Sequence, residues 1–454
     1  MKLSKYIVKG TSKRGLVGST IGFFIGFTAV VVLGSTIKFL KPGLSSTGVS
    51  GAFIGLLVAS PNLSGSLLRI PFSAWSDAGG ARRPMLILLI FSIIGLGGLT
   101  FIGFFIYPLG ITIIHYPILL ILGFLSGCGL ATFSVGITQT SYWFPKNKQG
   151  SALGTYAGIG NIAPGIFSLL LAFILPYLGL GGSYLVWFIV LILGTMSYHF
   201  IGLDAWSFQL EKECKIDPDN QEIDDVDLYC QIEAKKTAKE YGQQLFPSHA
   251  LLDSLKDSAK LWQTWVLVGL YFTSFGGFIG LASWFPTYWN TLHALGDFNL
   301  GLITISISLI LNAIFIAIGS ITRVYSGPLA DKYTGYKITV GGILTILIGA
   351  LMMMNSNKLL WLAILAMIII AIGMGIVNAG VFKIMPNVVP KAIGGAAGWI
   401  GGLGAFGGFV IPPLMGIFVD QLGLAGYPLG FMVFLILSGI SIVLLLILRR
   451  SKIK

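Results

Sequence analysis

Residues 64–83 read SGSLLRIPFSAWSDAGGARR. Arg69 stands in this stretch behind a long apolar run, well before any polar turn. Residues 320–337, SITRVYSGPLADKYTGYK, repeat the arrangement. Both fit S-x-x-R followed by an aspartate eight residues after the arginine: Arg69 and Asp77, then Arg323 and Asp331. At 1.5 Å per helical residue, each arginine stands about 12 Å inward from its aspartate. If the aspartates mark membrane edges, both arginines lie near the middle of a hydrocarbon layer about 30 Å thick.

The rest of the chain supports that premise. Of 454 residues, 55% are hydrophobic and 10% charged, and the mean hydropathy is +0.87. Runs such as IGFFIGFTAVVVLGSTI and PLGFMVFLILSGISIVLLLIL reach the length at which a helix crosses a bilayer. A soluble domain has no use for so many of them. The runs predict twelve spans, at 16–38, 49–74, 84–106, 116–139, 149–177, 183–203, 261–287, 299–328, 337–356, 359–382, 392–417 and 426–448. The first has no small-residue cleavage site and is read as a retained helix rather than a signal peptide. Glycine is frequent, with 61 residues, as expected where helices approach closely.

Charge gives the orientation. The N-terminus with Lys2, Lys5, Lys9, Lys13 and Arg14 falls on one side of the predicted membrane. So do the pairs Arg82 and Arg83, Lys146 and Lys148, Lys332 and Lys337, and Lys383 and Lys391, and the C-terminus with Arg449, Arg450, Lys452 and Lys454. Only Lys38, Lys41 and Lys358 fall on the other. By the positive-inside rule both termini are cytoplasmic in a multi-pass protein of the cytoplasmic membrane. The net charge of +12 follows from this topology. The basic residues sit in separate short loops, which offers nothing to a nucleic acid.

Between spans six and seven lies a polar segment, 204–260, with 13 of the 17 acidic residues and seven lysines. It reads as a solvated linker between a six-helix half at 1–203 and another at 261–454. AKEYGQQL and HALLDSLKDSAKLW within it have the pattern of short amphipathic helices at the membrane surface. Cys128 falls inside a span, and Cys214 and Cys230 in the linker. Their spacing fits no metal site, and a disulfide on the cytoplasmic side would be unusual, so all three are expected to be inert or structural thiols.

An arginine at midplane is costly unless something neutralises it. Outside the linker the acids are Asp77, Asp297, Asp331 and Asp420, all at span ends or in turns. None can reach the membrane centre. Two guanidiniums at equivalent places in two halves therefore call for an anion from outside the protein. Their paired N–H donors suit a planar oxyanion. Snorkelling towards the interface is the simpler alternative. His115, His199, His249 and His293 also lie in loops or at span ends, so no midspan carboxylate or imidazole is available to carry protons. The chain has no G-x-x-x-x-G-K-[ST] and no intramembrane set of catalytic groups, so neither ATP-driven transport nor enzyme chemistry is expected. No cofactor or metal is expected either.

Two glycine-rich stretches complete the pattern. GSALGTYAGIGNIAPG at 150–165 opens span five, and GGAAGWIGGLGAFGGF at 394–409 opens span eleven. Gly154, Gly158 and Gly160 correspond to Gly398, Gly402 and Gly404 at a constant offset. Glycines at this spacing let helices meet backbone to backbone and slide during alternating access.

FPKNKQGSALGTYAGIGN (144–161) and AAGWIGGLGAFGGF (396–409) resemble the two glycine signatures of the nitrate/nitrite porter family of the major facilitator superfamily. The two arginine stretches are similar to its substrate motifs, and GLYFTSFGGFIG (269–280) to its span-seven motif. DAGGARR, which holds Asp77 and Arg82, and DKYTGYK, which opens on Asp331, resemble the cytoplasmic turns of the superfamily. The resemblance implies that Arg69 and Arg323 clamp the anion, that Asn161 and Tyr271 donate further hydrogen bonds, and that Phe133 stacks on it, with Phe275 in the same wall. One departure is Tyr156-Ala157, where the family pattern has Asn-Gly.

The expectation is an all-α major facilitator fold of two pseudo-symmetric six-helix bundles, a monomer whose partners are nitrate, nitrite and the lipid bilayer. Exchange of nitrate for nitrite, within nitrate assimilation, is the expected function. A proton-coupled nitrate or nitrite symporter is the alternative, followed by an organophosphate exchanger, an anion channel and a membrane sensor.

Overall fold

A computed structural model describes residues 6–28, 31–49, 51–145, 147–217, 220, 225–243, 251–295, 297–299, 304–357, 359–390 and 392–450. Lys2, Lys5, Lys146, His249, Lys358, Lys391, Lys452 and Lys454 lie outside the described residues.

Helices occupy all twelve predicted positions. α1 (Ser12–Thr28) and α2 (Val31–Ser46) share the first, and α3 (Gly51–Gly79) fills the second. α4 (Arg82–Phe101) runs on through a π-helical turn at Ile102–Ile106. α5 (Tyr116–Gly127) and α6 (Thr132–Trp143) are joined by a 3-10 turn at Cys128–Ala131. α7 (Gln149–Ile201) covers two predicted spans and breaks at Gly179, whose φ of 62° a glycine adopts without strain. α11 (Trp262–Tyr271), a π-helical turn (Phe272–Gly276) and α12 (Gly277–Leu292) form the seventh. α13 (Ile307–Tyr333), α14 (Gly335–Met354), α15 (Leu360–Val388), α16 (Ile393–Ala405) with α17 (Gly407–Leu422), and α18 (Gly426–Leu429) with α19 (Met432–Arg450) form the rest. Among the described residues ten segments are long and apolar enough to cross a membrane.

The eighth element differs from the predicted span. Its first residues form a small antiparallel ladder, β1 (Asp297–Asn299) with β2 (Thr304–Ser306), in which Phe298 faces Ile305, and the helix starts only at Ile307. Asp297 is thus on β1, and Asp420 is in the last turn of α17, both away from the middle of a helix.

The glycine stretches decide how helices meet. The first half of α7 lies along α13. A β-carbon at Gly154 would stand 2.9 Å from the Gly327 Cα and 3.0 Å from the Arg323 carbonyl oxygen. On the equivalent pair, α16 lies along α3, where a β-carbon at Gly398 would stand 2.9 Å from the Ile70 carbonyl oxygen. Only glycine permits this approach, because backbone atoms on the facing helix have nowhere to move. Gly158 and Gly402 continue the two contacts, against Ser320 and Ser66. Gly160 and Gly404 turn elsewhere, to Phe23 and Tyr271.

The linker is more ordered than a solvated connection. α8 (Trp206–Ile216) and α9 (Val226–Glu240) form a hairpin, and Cys214 and Cys230 are joined in a disulfide at its centre. This corrects the expectation of free thiols: the hairpin brings their Cα atoms to 5.6 Å, and the redox argument from compartment does not bear on that geometry. Leu210, Ala234 and Ala238 pack around the bridge, with Tyr6, Val8 and Trp206 against them. Cys128 is free and buried. AKEYGQQL is not a helix of its own. Its first three residues end α9, 241–243 form a turn, and the remainder lies outside the described residues. Within HALLDSLKDSAKLW, α10 (Leu251–Lys260) does form, but wedged against α3 and α16 rather than along a lipid surface. Ser254 and Ser258 on it are fully buried, and Trp399 Nε1 of α16 donates to the Leu255 carbonyl at 3.1 Å.

Candidate functional site

Arg69 and Arg323 are 0% and 1% exposed. α3 and α13 thus put two guanidiniums inside the protein. Arg69 donates from Nε to the Leu130 carbonyl at 3.2 Å and from Nη1 to the Gly401 carbonyl at 2.6 Å. The 3-10 turn before α6 and the glycine run of α16 make those carbonyls available. Arg323 donates from Nη1 to the Tyr271 hydroxyl at 3.3 Å. Arg69 Nη2, Arg323 Nε and Arg323 Nη2 have no partner among the described residues. No carboxylate pairs with either arginine there; the interhelical ion pair in the helical bundle joins Lys383 to Asp331. The structure therefore excludes snorkelling as the fate of these side chains, since neither reaches solvent.

Both guanidiniums rest on the same aromatic rings. Arg69 Cζ lies 5.1 Å from the Phe133 centroid and 5.4 Å from that of Phe275. Arg323 Cζ lies 5.3 Å and 5.9 Å from the same two rings. Sharing Phe133 bounds the two carbons to within about 10 Å, where like charges at an effective dielectric of about 20 repel by roughly 1.5 kcal/mol or more. Cation–π attraction offsets part of this. It supplies no hydrogen bonds to the three unpaired nitrogens, and an unpaired buried donor is costly.

The wall around them is a stack. Phe133, Tyr271 and Phe275 lie nearly parallel, with Phe133 to Phe275 at 5.2 Å and Tyr271 to Phe275 at 4.8 Å. Tyr271 and Phe275 are four residues apart, and side chains at that spacing are neighbours on one helix face. Phe382 of α15 closes the stack edge-on, 5.6 Å from Phe133 and 5.1 Å from Tyr271, and lies 5.7 Å from Arg323 Cζ. Phe382 was absent from the sequence expectations, for no motif marks it. Tyr156, the departure from the family pattern, sits behind Phe133 and ties α7 to α6 by donating to the Thr132 and Phe133 carbonyls. Asn161 is buried with its Oδ1 unpaired.

Glycines Gly154, Gly158, Gly398 and Gly402 serve the helix contacts already described, and Gly404 makes room for Tyr271. Gly401, outside the expected set, contributes a carbonyl to Arg69. The acids of the turns lie farther along the same helices. Asp331 pairs with Lys383 and accepts from Gly150 N at 3.1 Å and Ser151 N at 2.8 Å, at the start of α7. Asp77 accepts from the hydroxyls of Tyr142 and Ser254. Arg82 donates from Nη2 to the His199 carbonyl, while Asp204 accepts the backbone N–H groups of Ala81 and Arg82 at the start of α4. Burial pushes the Asp204 carboxyl up from its ordinary pKa.

Among solved structures, the proton:xylose symporter XylE bound to 6-bromo-6-deoxy-D-glucose superposes with a TM-score of 0.69 over 97% of this chain and 95% of that one, at 15% identity, a likeness of fold alone. In sequence, the chain is 27% identical over 447 residues to the "Probable nitrate/nitrite antiporter NarK1" of Thermus thermophilus, covering 93% of this chain and 88% of that protein. It is 25% identical to the "Probable nitrate transporter NarT" of Staphylococcus epidermidis, covering 98% of each. The model of the Major Facilitator Superfamily matches residues 17–410 and 299–454, which together take in nearly every helix and both arginines. With the fold, the paired helices and the sequence match in agreement, the chain belongs to the Major Facilitator Superfamily.

Proposed function

We propose that the protein exchanges nitrate for nitrite across the cytoplasmic membrane by alternating access. The anion would be held between Arg69 and Arg323, with Tyr271 and Asn161 donating to it and Phe133 and Phe275 against its flat faces. The observation that carries this reading is the pair of buried guanidiniums with three unpartnered donor nitrogens over shared aromatic rings. A singly charged planar oxyanion supplies the missing acceptors, and its charge relieves the repulsion between the arginines. The similarity to proteins named as nitrate and nitrate/nitrite transporters supports the choice of oxyanion.

Further parts of the reading follow from the sequence. Residues 1–203 and 261–454 would be the two halves that rock, and 204–260 the segment joining them, with both termini cytoplasmic and the protein monomeric. Empty, the site keeps two like charges apart, which resists closure; loaded, it permits closure. That rule yields obligatory exchange rather than net uptake.

Proteoliposomes test it directly. With nitrite inside and nitrate outside, uptake is expected to depend on internal nitrite and to ignore an imposed pH gradient. Uptake that follows the proton gradient without internal anion would replace exchange with proton symport.

A further inference from the structure

α15 brings another polar group to the same centre. Asn378 lies in the middle of this helix, 2% exposed, and its Oδ1 has no hydrogen-bond partner among the described residues. Its direction is fixed by residues one turn away. Met374 points at the helix that follows the π-helical turn, its methyl 3.0 Å from where a Gly277 β-carbon would stand. Gly375 faces α13, where a β-carbon would stand 3.0 Å from Arg323 N. Phe382 lies beside the Arg323 guanidinium and edge-on to Tyr271. With about 100° between successive helical residues, Asn378 falls between the direction of Met374 and that of Gly375 and Phe382. That sector lies between the directions of α13 and of the π-helical turn with α12, all of which contact α15. Gly373 and Gly380 lie on the far face of α15, against α14.

A helix turn facing only apolar neighbours would hold leucine or alanine there, because a buried amide with an unmet hydrogen bond is destabilising. The amide can also present its NH₂ where the oxygen now stands, by a half-turn of the side chain.

We infer that Asn378 contacts the substrate. Its amide donates to an oxygen of the bound anion on the Arg323 side, and this contact favours the three-oxygen anion, nitrate, over the two-oxygen anion, nitrite. The inference rests on the oxyanion reading of the site proposed above. Arg69 and Arg323 approach from α3 and α13, and Asn378 approaches from a third helix. Nitrate carries three oxygens spread evenly in one plane, and nitrite lacks one of them. A donor placed for the third oxygen is therefore of use to nitrate alone.

The test measures KM for nitrate and for nitrite in proteoliposomes, for the wild type and for Asn378→Leu and Asn378→Ser. Leucine keeps the bulk and removes the donor; serine keeps a shorter donor. Asn378→Leu is expected to raise the nitrate KM about tenfold or more and the nitrite KM less than about threefold, from the loss of one hydrogen bond to a charged group. Asn378→Ser is expected to recover part of the nitrate KM. Equal changes in both KM values, or a fall in maximal rate with both KM values unchanged, would assign Asn378 to packing and overturn the inference. If Asn378→Leu does not insert, Asn378→Ala removes the amide without added shape and is read by the same ratio. Wild-type protein that moves neither anion removes the oxyanion reading and this inference together. Wild-type exchange with a nitrate-to-nitrite KM ratio that no variant alters removes the role of Asn378 alone.

Discussion

At the scale of single residues, the two arginines are not equivalent. Arg69 is braced by two backbone carbonyls, whereas Arg323 has the Tyr271 hydroxyl. Replacing Tyr271 by phenylalanine leaves the stacked ring and removes that oxygen. Under the proposed function, Tyr271→Phe is expected to raise the anion KM about tenfold or more, the weight of one hydrogen bond to a charged partner, and to lower stability by about 1–3 kcal/mol because the buried Arg323 Nη1 loses its acceptor. Uptake kinetics and a melting curve on the same preparation check both halves of the statement. Arg69→Lys keeps the charge but loses the fork that reaches Leu130 and Gly401 and, under the proposed function, the anion as well. It is expected to lower transport about thirtyfold or more; wild-type rates in this variant would remove Arg69 from the site. The arginines were legible in the sequence because a charge in an apolar helix has few explanations and a count of acids eliminates most of them. Phe382 and Asn378 were not. Aromatic and amide side chains are common in apolar helices, and only the position of α15 against α13 and the π-helical turn separates these two from ordinary packing.

At the scale of elements, the glycine stretches were legible as close contacts but not as to which helices they joined. Spacing reveals a smooth face; it does not name the partner. The structure pairs α7 with α13 and α16 with α3, so each contact joins an element of 1–203 to one of 261–454. Gly154 is the sharpest test, because its neighbours are the Gly327 Cα and the Arg323 carbonyl oxygen, which are backbone atoms. Gly154→Leu is expected to separate α7 from α13 at a cost of about 1–3 kcal/mol to this arrangement, the usual range for overpacking. Exchange should fall about fivefold or more, with the protein still folded and inserted. Unchanged exchange would mean that the α7–α13 contact never forms during transport. The linker shows the opposite failure of sequence reading. Its polar composition concealed a packed hairpin, because two cysteines and a few alanines suffice to build a small core against Tyr6 and Trp206.

At the scale of the whole molecule, acids and helix starts are joined across the two groups of helices at the end that carries the basic turns. Asp331 on α13 holds the first backbone N–H groups of α7 and pairs with Lys383. Asp77 on α3 reaches the start of α16 through an intermediary: Ser254 Oγ donates to Asp77 at 2.7 Å and accepts from Gly395 N at 3.0 Å. A carboxylate near a helix N-terminus is stabilising, by the orphan N–H groups and the helix dipole. Both links join the two groups of helices at this end, and one of them depends on α10, a helix of the linker. Gln243, also of the linker, donates to the carbonyl of Tyr142, whose hydroxyl in turn reaches Asp77. Residues of the segment 204–260 are thus built into these contacts, and under the proposed function they help to close this end. Ser254→Ala is therefore expected to loosen this end although it lies far from the arginines and outside every predicted span. The loss of a capping contact, about 1 kcal/mol, corresponds to roughly a fivefold shift in population towards forms open at this end. A cysteine placed by Ser73→Cys, at a buried position facing Gly394, reports the opening. Its maleimide labelling should run several-fold faster when Ser254→Ala is added, and nitrate should slow it in both backgrounds by favouring the closed, loaded form. Labelling that Ser254→Ala leaves unchanged would reduce α10 to a passive filler between α3 and α16 and leave closure to the glycine contacts alone.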